Sequence, residues 1–216
     1  MSGNSTLVTA RHFQYISERT AREDDFLTEL KRAATAAGIP SIWIAPEQAS
    51  LIQILLRLAG ARDVIEIGTL AGYSAIVIGR ALPPAGTVRT IEILPKHAEF
   101  ARKWIARSDV AGKVHVHLGG GMDVLPSFAD HSADAAFLDA DKSSYALYLE
   151  QCLRIVRPGG LIMVDNAFAF GQLFDERPTD REVPAVRAFN EVMAKESRLQ
   201  SVIVPMGDGL WVAIVR

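Results

Sequence analysis

Two short phrases carry the residues best suited to chemistry in this sequence: Phe137-Leu-Asp-Ala-Asp-Lys142 and Ile162-Met-Val-Asp-Asn166. Each begins as an apolar run with the pattern of a buried strand and ends on acidic or amide side chains. Asp139, Asp141, Asp165 and Asn166 gather there, and two carboxylates with an amide oxygen are hard oxygen donors, the kind that Mg²⁺ or a similar divalent ion prefers. Lys142, adjacent to them, is a candidate base. Taken singly, an Asp after a strand is often a helix N-cap, and Asp-Asn is common turn chemistry. Two strand ends carrying such groups, with a lysine beside one of them, shift the reading towards a site.

The elements between the phrases decide whether they meet. Tyr145, Tyr148, Leu149, Cys152, Leu153 and Val156 recur at the spacing of one helix face, and Pro158-Gly-Gly160 is expected to end that helix. Strand, helix and strand of this length form a right-handed crossover, so the two strands run parallel and their carboxyl ends share one sheet edge. Open α/β sheets bind ligands at that edge. A second motif, Glu66-Ile-Gly-Thr-Leu-Ala-Gly-Tyr-Ser74, joins an earlier strand to its helix. Its glycines let a ligand approach the backbone, and the helix start offers free N–H groups to an anion. The spacing is not Gly-x-Gly-x-x-Gly, so a dinucleotide pyrophosphate is disfavoured and a ligand with one carboxylate and no phosphate fits better. Glu92 ends the following strand, where nucleotide-binding α/β domains place an acid for ribose hydroxyls. A tight strand-to-helix turn and a solvated strand end are the plainer readings of the same residues.

Taken in order, residues 1–9 read as a loose tail. Ala10–Ala37 reads as a charged helical arm, too polar for the core, stopped by Gly38-Ile-Pro40. Pro46 opens a helix with Leu51, Ile54, Leu55 and Leu58 on one face. Strands are expected at Asp63–Ile67, Thr87–Ile91 and Val114–Leu118, then at the two acidic phrases. Helices are expected from Tyr73 to about Leu82, over Pro95–Arg107, near Val124 and over Val183–Lys195. Ser201–Val204 and Leu210–Val215, joined by Pro205-Met-Gly-Asp-Gly209, form an antiparallel hairpin. The alternation predicts one α/β domain: a Rossmann-like, doubly wound, mostly parallel seven-stranded sheet with a C-terminal antiparallel hairpin. Residues 1–45 form an N-terminal helical arm of that domain, and residues 46–216 its body.

Composition excludes several classes. A net charge of −2 over 216 residues, with no basic block, argues against nucleic acid as a partner. No apolar run approaches the roughly 18 residues of a membrane span, and Met-Ser-Gly-Asn-Ser-Thr lacks a signal-peptide pattern. The lone Cys152 precludes an internal disulfide and sits on an apolar helix face. A cytoplasmic protein is the expectation. His115 and His117 share one face of a strand, but no carboxylate or cysteine lies near them in sequence, so they read as structural.

These residues resemble a known family, the class I S-adenosylmethionine-dependent, cation-dependent O-methyltransferases of the caffeoyl-CoA and catechol type. The resemblance runs from about Tyr15 to Arg216. Its carriers are Ala45-Pro-Glu-Gln48, Val64-Ile-Glu-Ile-Gly68 with Gly72-Tyr-Ser74, Leu138-Asp-Ala-Asp-Lys142 with Tyr145, Gly159-Gly160, Val164-Asp-Asn166 and Pro205-Met-Gly-Asp-Gly-Leu210. The resemblance implies that Glu66, Gly68, Thr69 and Ser74 bind the methionine part of the donor and that Glu92 binds its ribose. It also implies that Gly121 and Met122 flank the adenine, that Ile44 lines the donor pocket, and that Asp139 and Asp141 contact the donor. Asp139, Asp165 and Asn166 match the family's metal ligands, with Mg²⁺ the expected ion, and Lys142 matches its general base. A small phenolic acceptor with two adjacent hydroxyls, and a homodimer, are likewise implied.

Ala49-Ser50 departs from the family's usual Gly-Gln, and Ala167-Phe-Ala-Phe170 from the Trp-containing segment of the plant enzymes. With no basic cluster for a phosphate-rich tail, small vicinal diphenols are expected to outcompete CoA thioesters. Phe168, Phe170 and Phe174 are candidates to clamp the phenolic ring, with ordinary packing under a long loop as the alternative. Two rivals stand beside this reading. A nicotinamide-dependent dehydrogenase is opposed by the missing third glycine. A non-catalytic donor-binding or interaction protein is opposed by the intact Asp139, Lys142, Asp165 and Asn166 set.

Overall fold

Strict alternation of apolar side chains along the central strands buries both faces of the sheet. Val64 of β1 (Asp63–Ile67), Ala135 and Phe137 of β4 (Ala133–Leu138), and Leu161 and Met163 of β5 (Val156–Val164) join one core layer. Their neighbours Ile65, Ile67, Ala136, Leu138, Ile162 and Val164 join the other. Because successive strand side chains point to opposite faces, such runs require helices on both sides.

The computed structural model describes residues 8–20 and 22–216. Most of the expected N-terminal tail, including the Met-Ser-Gly-Asn-Ser-Thr stretch, lies outside the described residues. The remaining elements are α1 (Ala10–Ser17), α2 (Asp25–Ala36), α3 (Pro46–Leu58), α4 (Tyr73–Ala81), β2 (Thr87–Glu92), α5 (Pro95–Arg107), β3 (Val114–Leu118), α6 (Gly121–Val124), α7 (Tyr145–Ile155), α8 (Val183–Lys195), β6 (Leu199–Val204) and β7 (Leu210–Val215). The seven strands are ordered β3-β2-β1-β4-β5-β7-β6. Neighbours among the first five pair parallel, and β7 pairs antiparallel with both β5 and β6. α2–α5 supply the first core layer, α7 and α8 the second. The expected doubly wound sheet and hairpin are present. No helix among the described residues is long and apolar enough to cross a membrane.

Three local expectations are corrected. The N-terminal arm is two helices, and α2 is not too polar for the core: Leu27, Leu30 and Ala34 are buried in the first layer. Their i, i+3, i+7 spacing is a narrow apolar stripe on an otherwise charged helix. On α3 the buried stripe is Ala49, Ile52 and Leu56 with Gln48, while Leu51 and Leu55 are only partly buried. Ile54 and Leu58 lie on the opposite side, and Leu58 is 80% exposed. Apolar residues cover more of this helix than its contact with α4 needs, so periodicity alone picks the wrong face. Finally, α7 stops at Ile155, and Pro158-Gly-Gly160 lies inside β5. The pairing jumps from Ala133↔Val156 to Ala135↔Leu161, an irregularity that loops the proline and glycines out of register. A Cβ on Gly160 would sit 2.6 Å from the Asp134 carbonyl oxygen, which is why a glycine occupies this bulge.

Candidate active site

Three neighbouring strands end at the same level and deliver one group each. The backbone N–H of Gly68 after β1 donates to the Ile91 carbonyl at 3.0 Å, that of Asp139 after β4 to Ile67 at 2.9 Å, and that of Asp165 after β5 to Leu138 at 3.0 Å. These bonds continue the sheet ladder by one residue and bring the glycine loop against the two acids. Gly68 has φ +101° and lies so close to β4 that a Cβ there would meet the Asp139 carbonyl oxygen at 1.9 Å. Only glycine tolerates both conditions.

A cleft of about 790 Å³ opens at this edge. Ile44, Gly68, Thr69, Ser74, Glu92, Gly121, Asp139, Asp141, Lys142, Asp165 and Asn166 all border it, so the structure brings together nearly every residue singled out from the sequence. Two do not border it. Met122 stands partly exposed beyond the rim, and Glu66 is fully buried behind the glycine loop. His115 and His117 lie on edge strand β3 away from the cleft, with His117 edge-on to Phe128 at 5.4 Å. Among the three phenylalanines, Phe170 borders the cleft and Phe174 is 91% exposed. Phe168 packs across Gly209, where a Cβ would lie 2.9 Å from its ring.

The side chains are held in defined orientations. Glu92 accepts from the Leu70 N–H at 2.8 Å through one oxygen and from the Leu94 N–H at 2.9 Å through the other, which fixes its carboxylate at the end of β2. Lys142 donates to Asp139 Oδ1 at 3.0 Å and to Tyr145 Oη at 2.7 Å, and is only 6% exposed. Tyr148 donates to Asp141 Oδ1 at 2.6 Å, and its ring occupies the space that a Cβ on Gly121 would need. Tyr145 and Tyr148, whose spacing in the sequence marked one helix face, thus position two of the site's polar groups.

Asp165 is nearly buried, and burial followed by the nearby Asp139 carboxylate raises its pKa well above the ordinary carboxylate range. Two acids facing one partly compensating lysine form a site that favours added positive charge. Among the described residues no group of three His, Cys, Asp or Glu side chains is arranged to hold a metal. The candidate set has two carboxylates and depends on the Asn166 amide oxygen for a third donor. That all-oxygen chemistry fits a hard divalent ion.

Glu66 differs from these acids. Its Oε2 accepts from the Thr90 hydroxyl at 2.5 Å, while Oε1 is buried without a hydrogen-bond partner. Burial pushes it up to about 8 from an ordinary value of 4.5, against the opposing pull of the Ser74 and Thr90 hydroxyls. Between those two values the folded protein holds a proton that the unfolded chain has released. Stability therefore declines as pH rises through this window and levels off above it. Glu66→Gln should flatten the decline. Unfolding free energies from urea titrations at pH 5 and 8 on donor-free protein should separate more for the parent than for the variant, a difference on the order of a few kcal/mol. Equal separations would refute the assignment.

A family model described as O-methyltransferase matches residues 17–215. A catechol O-methyltransferase from Niastella koreensis is 38% identical over 210 residues, covering 94% of this chain and 95% of that one. Among solved structures, the O-methyltransferase from Bacillus cereus in complex with SAH is 34% identical, covers 94% of this chain and 96% of that one, and superposes with a TM-score of 0.85. TomG from Streptomyces achromogenes, an O-methyltransferase involved in tomaymycin synthesis and solved with SAM, is 34% identical, covers 94% and 95%, and gives a TM-score of 0.81.

Proposed function

The chain belongs to the O-methyltransferase family, and on that premise we propose that it transfers a methyl group from S-adenosylmethionine to one hydroxyl of a small vicinal diphenol, with a divalent cation, Mg²⁺ or similar, at Asp139, Asp165 and Asn166. The observation that carries this reading is the meeting, in one cleft, of the glycine loop and Glu92 with Asp139, Lys142, Asp165 and Asn166. Solved relatives that hold SAM or SAH support the donor, and the catechol enzyme supports the acceptor class.

Each residue then has a task. Glu92 holds the ribose hydroxyls with the lone pairs left after its two backbone bonds. Gly68 and Thr69 leave room for the methionine end of the donor beside the start of α4, and Ile44 and Gly121 form apolar walls. A bound divalent cation supplies positive charge that favours the ionised acceptor hydroxyl. Lys142, in its neutral amine form, takes the hydroxyl proton and becomes the ammonium. The acceptor oxygen bonds to the methyl carbon as the carbon–sulfur bond breaks and its electron pair stays on sulfur. Phe170 borders the cleft near Asn166 and offers an apolar face to an aromatic acceptor.

A methyl-transfer assay on catechol, with and without EDTA, tests the whole reading. Turnover is expected with Mg²⁺ or Mn²⁺ and is expected to vanish on chelation; full turnover under EDTA sinks the metal assignment. Competition between caffeic acid and caffeoyl-CoA tests the acceptor, with a higher kcat/KM expected for the free acid. Donor recognition has its own test. Glu92→Gln should raise the dissociation constant for S-adenosylmethionine at least about tenfold, since hydrogen bonds to a charged group contribute roughly 1.5–3 kcal/mol each. An unchanged constant rejects the role of Glu92.

A further inference from the structure

The two polar groups at the end of β5 are each gripped by a side chain from a distant part of the chain. Gln48, in the first turn of α3 and 1% exposed, donates from Nε2 to Asp165 Oδ1 at 2.5 Å. Asp208, in the turn between β6 and β7, accepts from Asn166 Nδ2 at 3.1 Å, and also from the backbone N–H groups of Phe170 at 2.7 Å and Gly171 at 3.1 Å. Neither residue was singled out from the sequence as a metal ligand or base, and both border the cleft beside such ligands.

Hydrogen-bond chemistry fixes both amides. An ionised carboxylate, the form a cation requires at Asp165, can only accept, so each amide turns its NH₂ towards the acid it meets. Asn166 therefore presents nitrogen to Asp208, and its Oδ1 is the end left free. Gln48 presents nitrogen to Asp165 and turns Oε1 towards Gly207, where a Cβ would lie 2.1 Å from that oxygen. Gly207 thus leaves space for the amide in this orientation. Asp208 also secures an unusual piece of backbone. Asn166, Ala169, Phe170 and Gly171 have φ values of +66°, +53°, +59° and +76°, a conformation that residues with a Cβ rarely adopt. Three hydrogen bonds to one carboxylate hold the two ends of that segment.

We propose that Gln48 and Asp208 are positioning residues for the cation: Gln48 fixes the Asp165 carboxylate so that Oδ2 is its free oxygen, and Asp208 turns the Asn166 amide so that Oδ1 is its free oxygen. This inference rests on the proposed metal-dependent function and adds to it residues that act through the ligands. Partners that orient metal ligands typically change metal affinity by about 10–100-fold when removed.

The test is calorimetric titration of the full chain with Mn²⁺ alone, alongside titration with S-adenosylmethionine and a melting curve. Gln48→Met and Asp208→Leu keep approximate side-chain size while removing the directing acceptor or donor. Each should weaken Mn²⁺ binding at least tenfold and leave donor affinity within about twofold. In turnover assays each should raise the Mn²⁺ concentration needed for half-maximal rate, with kcat recovering at high Mn²⁺. Unchanged Mn²⁺ affinity overturns the proposal, as does a loss of donor affinity equal to the loss of Mn²⁺ affinity, which marks a general packing defect. If Asp208→Leu fails to fold, Gln48→Met decides alone. If the parent protein binds no Mn²⁺ and turns over in EDTA, the metal-dependent reading has failed and this inference falls with it. Failure of the inference by itself is recognised by a parent that binds Mn²⁺ and variants that bind it equally.

Discussion

Lys142→Met is expected to lower kcat for methyl transfer by roughly 10²–10⁴-fold, the usual contribution of a positioned acid or base. The side chain is nearly buried between Asp139 Oδ1 and Tyr145 Oη, with no other lysine or arginine bordering the cleft. The other basic side chain on the cleft wall among the described residues, His97, lies beside Glu92, with Nδ1 3.8 Å from Oε1. The loss has two candidate sources: Lys142 acts as a proton acceptor in its neutral amine form, or as a positive charge beside Asp139 in its ammonium form. Lys142→Arg separates them: a guanidinium keeps the charge but does not take a proton in the accessible pH range. A proton-acceptor role predicts that the Arg variant is as slow as the Met variant, at unchanged donor affinity. Recovery of most of the rate in the Arg variant would make the lysine an electrostatic partner and refute the base assignment. The dissociation constant for S-adenosylmethionine, measured in parallel, guards against collapse of the cleft.

Gly68→Ala should be the most damaging single methyl group in the protein. The added carbon would lie 1.9 Å from the Asp139 carbonyl oxygen and 2.7 Å from its carbonyl carbon, both rigid backbone atoms, at a φ of +101°. Forced overpacking costs roughly 1–3 kcal/mol and a left-handed non-glycine residue roughly 1–2 kcal/mol more. The strand that must yield is β4, so relief of the clash displaces Asp139 itself. Urea denaturation should show a loss of about 2–5 kcal/mol together with loss of donor binding. Gly60→Ala is the control: its φ is +61° with no atom within 4 Å, so it carries only the conformational cost. Equal losses for the two variants would mean that the close approach of β1 and β4 is not what demands a glycine at position 68.

The architecture was legible because the strands β1–β5 repeat one local pattern, an apolar run closed by glycine or acid, and right-handed crossovers bring such closures to one edge. Gly68, Asp139, Asp165 and Asn166 could be placed there by topology alone. What the sequence hid depends on contacts between remote segments. Gln48 and Asp165 are 117 residues apart, and Asn166 and Asp208 are 42 apart, so no spacing rule joins them. The signals were an amide on the buried stripe of α3 and an acid between two glycines, and each alone reads as ordinary helix or turn chemistry. The face of α3 was misread because Ile54 and Leu58 are apolar without being buried. Helix periodicity reports where apolar residues recur, not which of them find a partner. The aromatic clamp shrank to Phe170 for a related reason, since a loop without periodicity gives no rule for which side chains turn inward.

The position of β7 has a consequence for the order in which the protein becomes competent. Of the seven strands β7 is synthesised last, yet it lies between β5 and β6, and the turn that leads into it carries Gly207 and Asp208. A nascent chain that has emerged through β5 already contains Asp139, Lys142, Asp165 and Asn166. It lacks the carboxylate that turns the Asn166 amide and the strand that covers the free edge of β5. Translation therefore delivers the reactive groups well before the part that orients them. On the proposed function, ribosome-stalled chains of increasing length should acquire donor binding first and Mn²⁺ binding only once β7 has cleared the exit tunnel.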